Sequence, residues 1–99
     1  MSTTVEELTV DYEENGILIV KELDKVILSK GAWATVLFRY QQWDHKTEEY
    51  STDKYIIRRY RKMSGEYKPQ SKFNISSPKQ AQMIVDALQN WLADIPEEA

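Results

Sequence analysis

Residues 57–80, IRRYRKMSGEYKPQSKFNISSPKQ, decide the fold. The strand that enters this stretch, residues 54–63, is rich in β-branched and aromatic side chains, Ser64-Gly65 is a turn signal, and residues 66–75 return to extended structure. This order predicts an antiparallel hairpin rather than a helix. Pro69 donates no ladder hydrogen bond, so part of the second strand is expected at a sheet edge or bulge.

The helix that follows has the clearest local signal in the chain. Ser77 suits the N-cap, Pro78 the first helical position, and Gln80 the position where a capping box has Glu or Gln. Apolar residues then recur at three- and four-residue spacings and form a stripe: Ala81, Ile84, Val85, Leu88, Trp91, Leu92 and Ile95. Such a stripe needs a sheet or another helix to cover it. Pro96 ends the helix, and residues 96–99 are expected to be frayed.

Two further strands precede the hairpin. After the turn signal Asn15-Gly16, residues 17–28 (ILIVKELDKVIL) are aliphatic and β-branched enough for a strand. In residues 32–43 (AWATVLFRYQQW), two sets of side chains alternate with the period of two expected of a strand. Four consecutive strands with short links predict an antiparallel meander. The fold class is therefore α+β, a four-stranded antiparallel β-meander followed by one C-terminal α-helix (ββββα), in a single domain of residues 16–95.

Residues 1–15 differ from the rest of the chain. They combine low hydrophobicity with clustered acids and are expected to form a mobile acidic tail. A chain of 99 residues favours one compact domain, and the absence of cysteine excludes disulfides and cysteine-based metal sites. No apolar run is long enough for a membrane span and no signal peptide is recognisable, which predicts a soluble intracellular protein with no membrane partner.

The net charge of −3 conceals a strong asymmetry along the chain. Residues 1–24 carry −6, residues 25–79 carry +7, and residues 80–99 carry −4. A partner touches one face, so the acidic average does not argue against an anionic ligand for the basic middle. Cations there neutralise phosphates while aromatic rings stack on bases, which predicts binding of single-stranded nucleic acid with little sequence preference. A solvated cationic sheet face with no ligand is the alternative.

Catalysis has little support in the sequence. The single histidine, His45, lies in a polar loop, and no second imidazole or cysteine completes a zinc site or a nucleophile–base pair. The carboxylate pairs Glu13-Glu14 and Glu48-Glu49 are adjacent, so their side chains point to opposite sides of an extended chain. The three glycines are isolated, so no glycine-rich phosphate loop exists. We therefore expect a binding protein, not an enzyme, without catalytic residues, metal or cofactor.

A family resemblance supports a nucleic-acid ligand. The residues that carry it are, in chain order, Ile57-Arg58, Tyr60, Gly65-Glu66, Lys68-Pro69, Lys72, Ile75-Ser76, Pro78 and Gln80. This order resembles the core of the transcriptional coactivator family known as positive cofactor four, and the strand order extends the resemblance over residues 17–94. Three departures stand out. Spacing differs by one residue on each side of Lys68-Pro69, Arg61 replaces an aromatic residue, and the loop between Trp43 and Tyr55 is longer and more acidic.

The resemblance implies a curved four-stranded sheet with one helix, dimerising so that two sheets present adjacent grooves to single-stranded or melted DNA. Arg58, Lys68 and Lys72 match basic positions of the family's motif and are expected to contact phosphates, while Tyr60 matches an aromatic position. Physical reasoning also favours a homodimer, because one sheet with a single helix leaves a sheet face uncovered.

The second strand adds candidate residues. Trp33 and Trp43 fall on the same side of it with Arg39 between them, and these rings either supply a stacking surface or pack in the core or a dimer interface. The predicted nucleic-acid-binding residues are Arg58, Tyr60, Arg61, Lys68, Lys72, Arg39 and Trp43.

Two hypotheses follow for the function. The first is a homodimeric module of the transcriptional-coactivator type that binds single-stranded DNA, with RNA left open, in the cytoplasm as a nucleoid-associated protein or in the nucleus. The second is a small protein-interaction domain whose basic sheet face docks an acidic partner. Charge alone does not separate them.

Overall fold

The computed structural model describes residues 4–95, which form a curled antiparallel sheet and one C-terminal helix. A short 3-10 helix, Val5–Glu7, precedes the other elements, which are β1 (Tyr12–Glu14), β2 (Ile17–Ser29), β3 (Trp33–Asp44), β4 (Glu49–Tyr50), β5 (Lys54–Met63), β6 (Glu66–Ile75) and α1 (Pro78–Leu92). The strands lie in the order β1-β2-β3-β5-β6, and β4 pairs with β3.

The α+β class and the antiparallel meander are confirmed, but the count of four strands is wrong, since the described part of the chain has six. The four long strands are those that the sequence predicts. The two additional ones, β1 and β4, have three and two residues, too few to give a recognisable alternation of apolar and polar side chains.

Two tight turns set the register of the sheet. Asn15-Gly16 joins β1 to β2 and Ser64-Gly65 joins β5 to β6, and all four residues have φ between 53° and 80°. Positive φ at both central residues is the conformation whose twist matches that of the flanking strands. Pairing therefore begins directly beside the second turn, at Met63 and Glu66.

Alternation along the strands gives the sheet two distinct faces. One face, here called the covered face, contains these residues of β3 and β5: Ala34, Val36, Phe38, Ile56, Arg58 and Tyr60. The opposite face, here called the open face, contains their neighbours: Trp33, Thr35, Leu37, Arg39, Tyr55, Ile57, Arg59 and Arg61. These sets follow from the pairing of β3 with β5, in which directly opposed residues share a face.

The N-terminal segment, residues 4–11, packs on the covered face. Val5, Leu8 and Val10 are each at most 5% exposed and belong to the same core cluster as Phe38. Lys25 Nζ, also on this face, donates hydrogen bonds to the main-chain oxygens of residues 6 and 8, at 2.5 and 2.7 Å. Residues 4–11 of the expected mobile tail are thus packed against the sheet. Their three apolar side chains reach its covered face despite the acids between them. Residues 1–3, and the end expected to fray at 96–99, lie outside the described residues.

An ion pair holds the first turn of this segment. Lys30 Nζ lies 2.6 Å from Glu6 Oε2, and both side chains are exposed. This hydrogen bond to the Lys30 ammonium lowers the pKa of the Glu6 carboxyl below its usual value and raises the pKa of Lys30. Glu6 therefore pairs with a lysine at the rim of the sheet while the apolar side chains of the segment point inward.

The helix starts where the sequence predicts it. Ser77 Oγ accepts a hydrogen bond from the Gln80 main-chain N–H at 3.0 Å, and Pro78 occupies the first turn. None of the described residues of α1 is buried. The large apolar side chains of its stripe that exceed 45% exposure are Val85, Leu88, Trp91 and Leu92, with Ile95 just beyond the helix. In the single chain, the stripe faces solvent.

The molecule is thin and open. Its principal extents are 50 × 38 × 18 Å, and its radius of gyration is 15.8 Å, against roughly 13 Å for a compact chain of this length. Its accessible surface of 7382 Å² exceeds by roughly 1,500 Å² the surface expected for a compact monomer of this mass. Among residues 4–95, no helix is long and apolar enough to cross a membrane.

Packing of the N-terminal segment can be tested with a matched pair of leucine truncations. Leu8→Ala leaves a cavity under a side chain that is 4% exposed, so we expect the free energy of unfolding to fall by about 2–5 kcal/mol. Leu28→Ala removes the same atoms from a side chain that is 54% exposed and should change stability by about 0.5 kcal/mol or less. Urea denaturation followed by tryptophan fluorescence measures both. Equal effects of the two substitutions would mean that the segment does not pack on the sheet in solution.

Candidate nucleic-acid interface

The residues predicted to bind nucleic acid divide between the two faces of the sheet. Arg58 and Tyr60 lie on the covered face, and Lys72 joins them because it is paired directly with Arg58. The open face receives the others: Arg39, Trp43, Arg61 and Lys68. They form two separate groups rather than one site.

A bulge in β6 causes part of this division. Lys68 and Lys72 are four residues apart and would share a face in a regular strand. The register shifts between Ser71 and Pro69, so Gln70 has no partner on β5. This extra residue reverses the faces to which the side chains before and after it point. Lys68 is therefore opposite Arg61, while Lys72 is opposite Arg58. Pro69 lies at this bulge, on an edge strand, where the sequence predicts it.

Trp33 is the centre of the cationic end of the open face. Its side chain is 40% exposed. The guanidinium carbons of Arg59 and Arg61 lie 4.6 and 5.5 Å from a ring centroid of Trp33, within the range of a cation–π interaction. Lys68 follows on the neighbouring strand. One exposed indole thus lies among three cations, here called the Trp33 cluster.

The cations of the Trp33 cluster have no acidic partners. No carboxylate of residues 4–95 lies within 4.0 Å of Arg59, Arg61 or Lys68. Arg39, farther along the open face, differs, because its Nη1 lies 3.7 Å from Asp53 Oδ2. An exposed pair of that length stabilises the fold by ~0 to 1 kcal/mol. The charge of Arg39 is shared with Asp53, whereas the cluster's charges are available to a ligand.

A second aromatic group lies at the other end of the open face. The rings of Trp43 and Tyr50 meet edge to face with centroids 5.0 Å apart, and Lys21 Nζ lies 5.0 Å from the Tyr50 centroid. The Tyr50 hydroxyl donates to the Leu18 oxygen at 2.9 Å and fixes this group to β2. Trp43 is ten residues from Trp33 on β3, roughly 33 Å along an extended strand. Rings and cations therefore occur at both ends of the same face.

Three residues of the open face were missing from the predicted set. Arg59 and Trp33 belong to the Trp33 cluster, and Phe73 is paired with Ile57 on this face and is 52% exposed. The alternation of β5 identifies Arg59 as a neighbour of Arg61, so the sequence contained that signal. The position of Phe73 depends on the register of β6, which local patterns do not give.

Tyr60 does not offer a stacking surface. Its side chain is 3% exposed and belongs to the core cluster on the covered face. Burial raises the pKa of the Tyr60 hydroxyl above its usual value, while the nearby Arg58 guanidinium acts in the opposite direction. The hydroxyl is shielded from solvent and makes no hydrogen bond of good geometry within the described residues. The predicted contact between Tyr60 and nucleic acid is thus replaced by a core position.

Two tyrosine-to-phenylalanine substitutions test this environment. Tyr60→Phe removes a buried hydroxyl that makes no hydrogen bond of good geometry among residues 4–95, so it should leave stability unchanged or raise it by about 1 kcal/mol at neutral pH. Tyr67→Phe, the control, removes a hydroxyl that donates to the Gly31 oxygen at 2.6 Å and should cost about 1 kcal/mol.

The same pair predicts a pH dependence. Because the folded pKa of Tyr60 is raised, the stability that its neutral form contributes is present below the unfolded pKa of about 10 and is lost as pH rises beyond it. Urea titrations at neutral and alkaline pH should show that the free energy of unfolding of Tyr60→Phe rises relative to that of the wild type above pH ~10. A constant difference between the two proteins across this range would contradict the assignment.

Comparison of the chain with family models, with curated proteins and with solved structures gives no match. The resemblance to the positive cofactor four family therefore remains an expectation. It rests on the motif residues of β5, β6 and the start of α1.

Proposed function

We propose that this protein binds single-stranded nucleic acid on the open face of its sheet. The Trp33 cluster carries the proposal, because an exposed indole lies among three cations that no carboxylate of the described residues neutralises. Phosphate neutralisation by cations and stacking of bases on rings are the two interactions that hold single strands without reading their sequence.

Each residue of the open face has a distinct role in this proposal. Arg59, Arg61 and Lys68 bind consecutive phosphates, and a base stacks on the exposed part of Trp33. Arg39 leaves its ion pair with Asp53 and binds a phosphate instead, because a surface pair of this kind is weak. Trp43 and Phe73 add rings along the same face. The ligand is single-stranded DNA, in a role of the transcriptional-coactivator type that the family resemblance suggests.

A second copy of the chain is the proposed partner of the helix stripe. The stripe exposes Val85, Leu88, Trp91 and Leu92 on one side of α1. A standard protein–protein interface buries about 800 Å² of surface on each partner. The surface that this chain exposes beyond that of a compact monomer is larger than this area. A two-fold dimer buries this stripe against its own copy. Two open faces in one particle then raise the avidity for a long strand.

Fluorescence anisotropy with a labelled single-stranded DNA of about 20 nucleotides tests the interface. Affinity should fall with salt and exceed that for a matched duplex. Arg59→Ala with Arg61→Ala removes two phosphate contacts and should lower the slope of log affinity against log salt by about 1.4. Trp33→Ala should weaken binding by about 1–3 kcal/mol, the typical contribution of one stacked base.

Lys79→Ala is the control, because it removes one exposed cation from the first turn of α1, which is not part of the sheet. It should leave the salt slope unchanged. Loss of affinity in Arg58→Ala with Lys72→Ala, with the open-face variants unaffected, would contradict the placement of the strand on the open face. No binding at low salt would remove the nucleic-acid function and favour an acidic protein as the partner.

Light scattering tests the homodimer. At micromolar concentration the wild type should have about twice the 11.6 kDa mass of one chain. Leu88→Glu places a charge in the stripe and should give monomers, because burying an unpaired carboxylate is costly. Asn90→Glu introduces the same side chain on the opposite side of the helix and should remain dimeric. A wild type that is monomeric, or two variants that behave alike, would contradict the assignment.

A further inference from the structure

The covered face contains a second cationic feature that the proposed single-strand interface does not use. Arg58 and Lys72 lie directly opposite each other on β5 and β6. Like charges in that position destabilise a sheet. No carboxylate within residues 4–95 lies within 4.0 Å of either side chain. The closest carboxylate that the pairing places on this face, Glu22 of β2, acts on Tyr60 from a distance and does not pair directly with either cation.

Arg58 also has an unused hydrogen-bond donor. Its Nε is shielded from solvent and makes no hydrogen bond of good geometry among the described residues, although the Tyr60 hydroxyl lies close to the guanidinium. A buried donor without a partner costs about 1–3 kcal/mol, and more when the group is charged. An anion beside the two cations would satisfy the donor and relieve the repulsion together.

Two adjacent cavities share this pair of cations. The first, of about 200 Å³, has a polar wall formed by Tyr40, Gln42 and Asn74 and an apolar wall that includes Val10. Its volume corresponds to several water molecules at about 30 Å³ each, enough for a phosphate group. The second, of about 300 Å³, lies toward the bulge and is lined by Pro69, Gln70 and Ser71. One cavity can thus hold the charged group of a ligand while the adjacent cavity holds the rest of the same molecule.

The N-terminal segment restricts what enters. Val10 forms part of the wall, and Val5 and Leu8 fill the covered face beyond it. A continuous strand cannot cross this face, so only a group that enters from the β6 edge reaches Arg58. A phosphate at the end of a molecule meets this condition. A phosphomonoester also carries about −1.5 to −2 charges at pH 7, which matches two cations better than the single charge of a phosphodiester.

We propose that the cavities around Arg58 and Lys72 bind a terminal phosphomonoester, and that its source is the 5′-phosphate of a single strand held on the protein. The choice of source rests on the proposed function. A free nucleotide presents the same chemistry.

Paired oligonucleotides test this site. We expect the wild type to bind a 3′-labelled single-stranded DNA carrying a 5′-phosphate about tenfold more tightly than the same DNA with a 5′-hydroxyl, as charge-assisted hydrogen bonds are strong. Lys72→Ala changes an exposed side chain, so it should fold and lose the preference. Lys62→Ala is the control, because it removes a cation of the same face that lies over Tyr67 outside the cavities.

Thymidine 5′-monophosphate, with thymidine as its control, separates the two sources by calorimetry. Binding of the nucleotide that is lost in Lys72→Ala, without oligonucleotide binding, would keep the pocket and remove the single-strand function. Equal affinity for the two oligonucleotides, with no binding of the nucleotide, would overturn the pocket and leave the open-face interface intact. A 5′-phosphate preference that persists in Lys72→Ala would also overturn it.

Discussion

The packing of Val5, Leu8 and Val10 against the covered face is the contact on which the rest of the structure depends. A sheet needs an apolar layer on at least one face, and α1 does not provide it here. Burial of each of these side chains stabilises the fold by about 1.5–3 kcal/mol. Displacement of the segment from the sheet would expose all three side chains, so the segment stays in place when an anion binds. The acids of the segment lie at its edge, where Glu6 pairs with Lys30.

Once one face is covered, the alternation of β5 assigns its cations to different environments. Arg58 and Arg59 are neighbours in sequence but lie on opposite faces. A basic run in a strand therefore never forms one patch. In this chain, it gives an exposed cluster with an indole on the open face and, on the covered face, the pair Arg58 and Lys72 beside the N-terminal segment. The two proposed ligands differ accordingly: a flexible strand for the open face and a compact anion for the covered one.

Local signals made much of this fold predictable from the sequence. The period of two in β3, the Ser64-Gly65 turn and the Ser77-Pro78 cap each depend on residues a few positions apart. The packing of Leu8 in the same core cluster as Phe38 was not predictable, because the two residues are thirty positions apart in sequence and acids surround the apolar side chains of the segment. The candidate site was half predictable. Its residue types were evident, but the bulge at Gln70, which separates Lys68 from Lys72, depends on pairing rather than on local pattern.

The apolar stripe of α1 cannot pack against the cationic open face of the same chain. Folding α1 back over its own sheet would bury the cations of the Trp33 cluster beneath apolar side chains, and each unpaired charge would cost several kcal/mol. The link between β6 and α1 contains only Ser76 and Ser77, and it holds the helix at the β6 edge. The same cations that suit the open face to phosphates thus exclude the helix from it. In the proposed dimer, the stripe instead packs against the copy of α1 in the second chain, a surface of matching apolar chemistry.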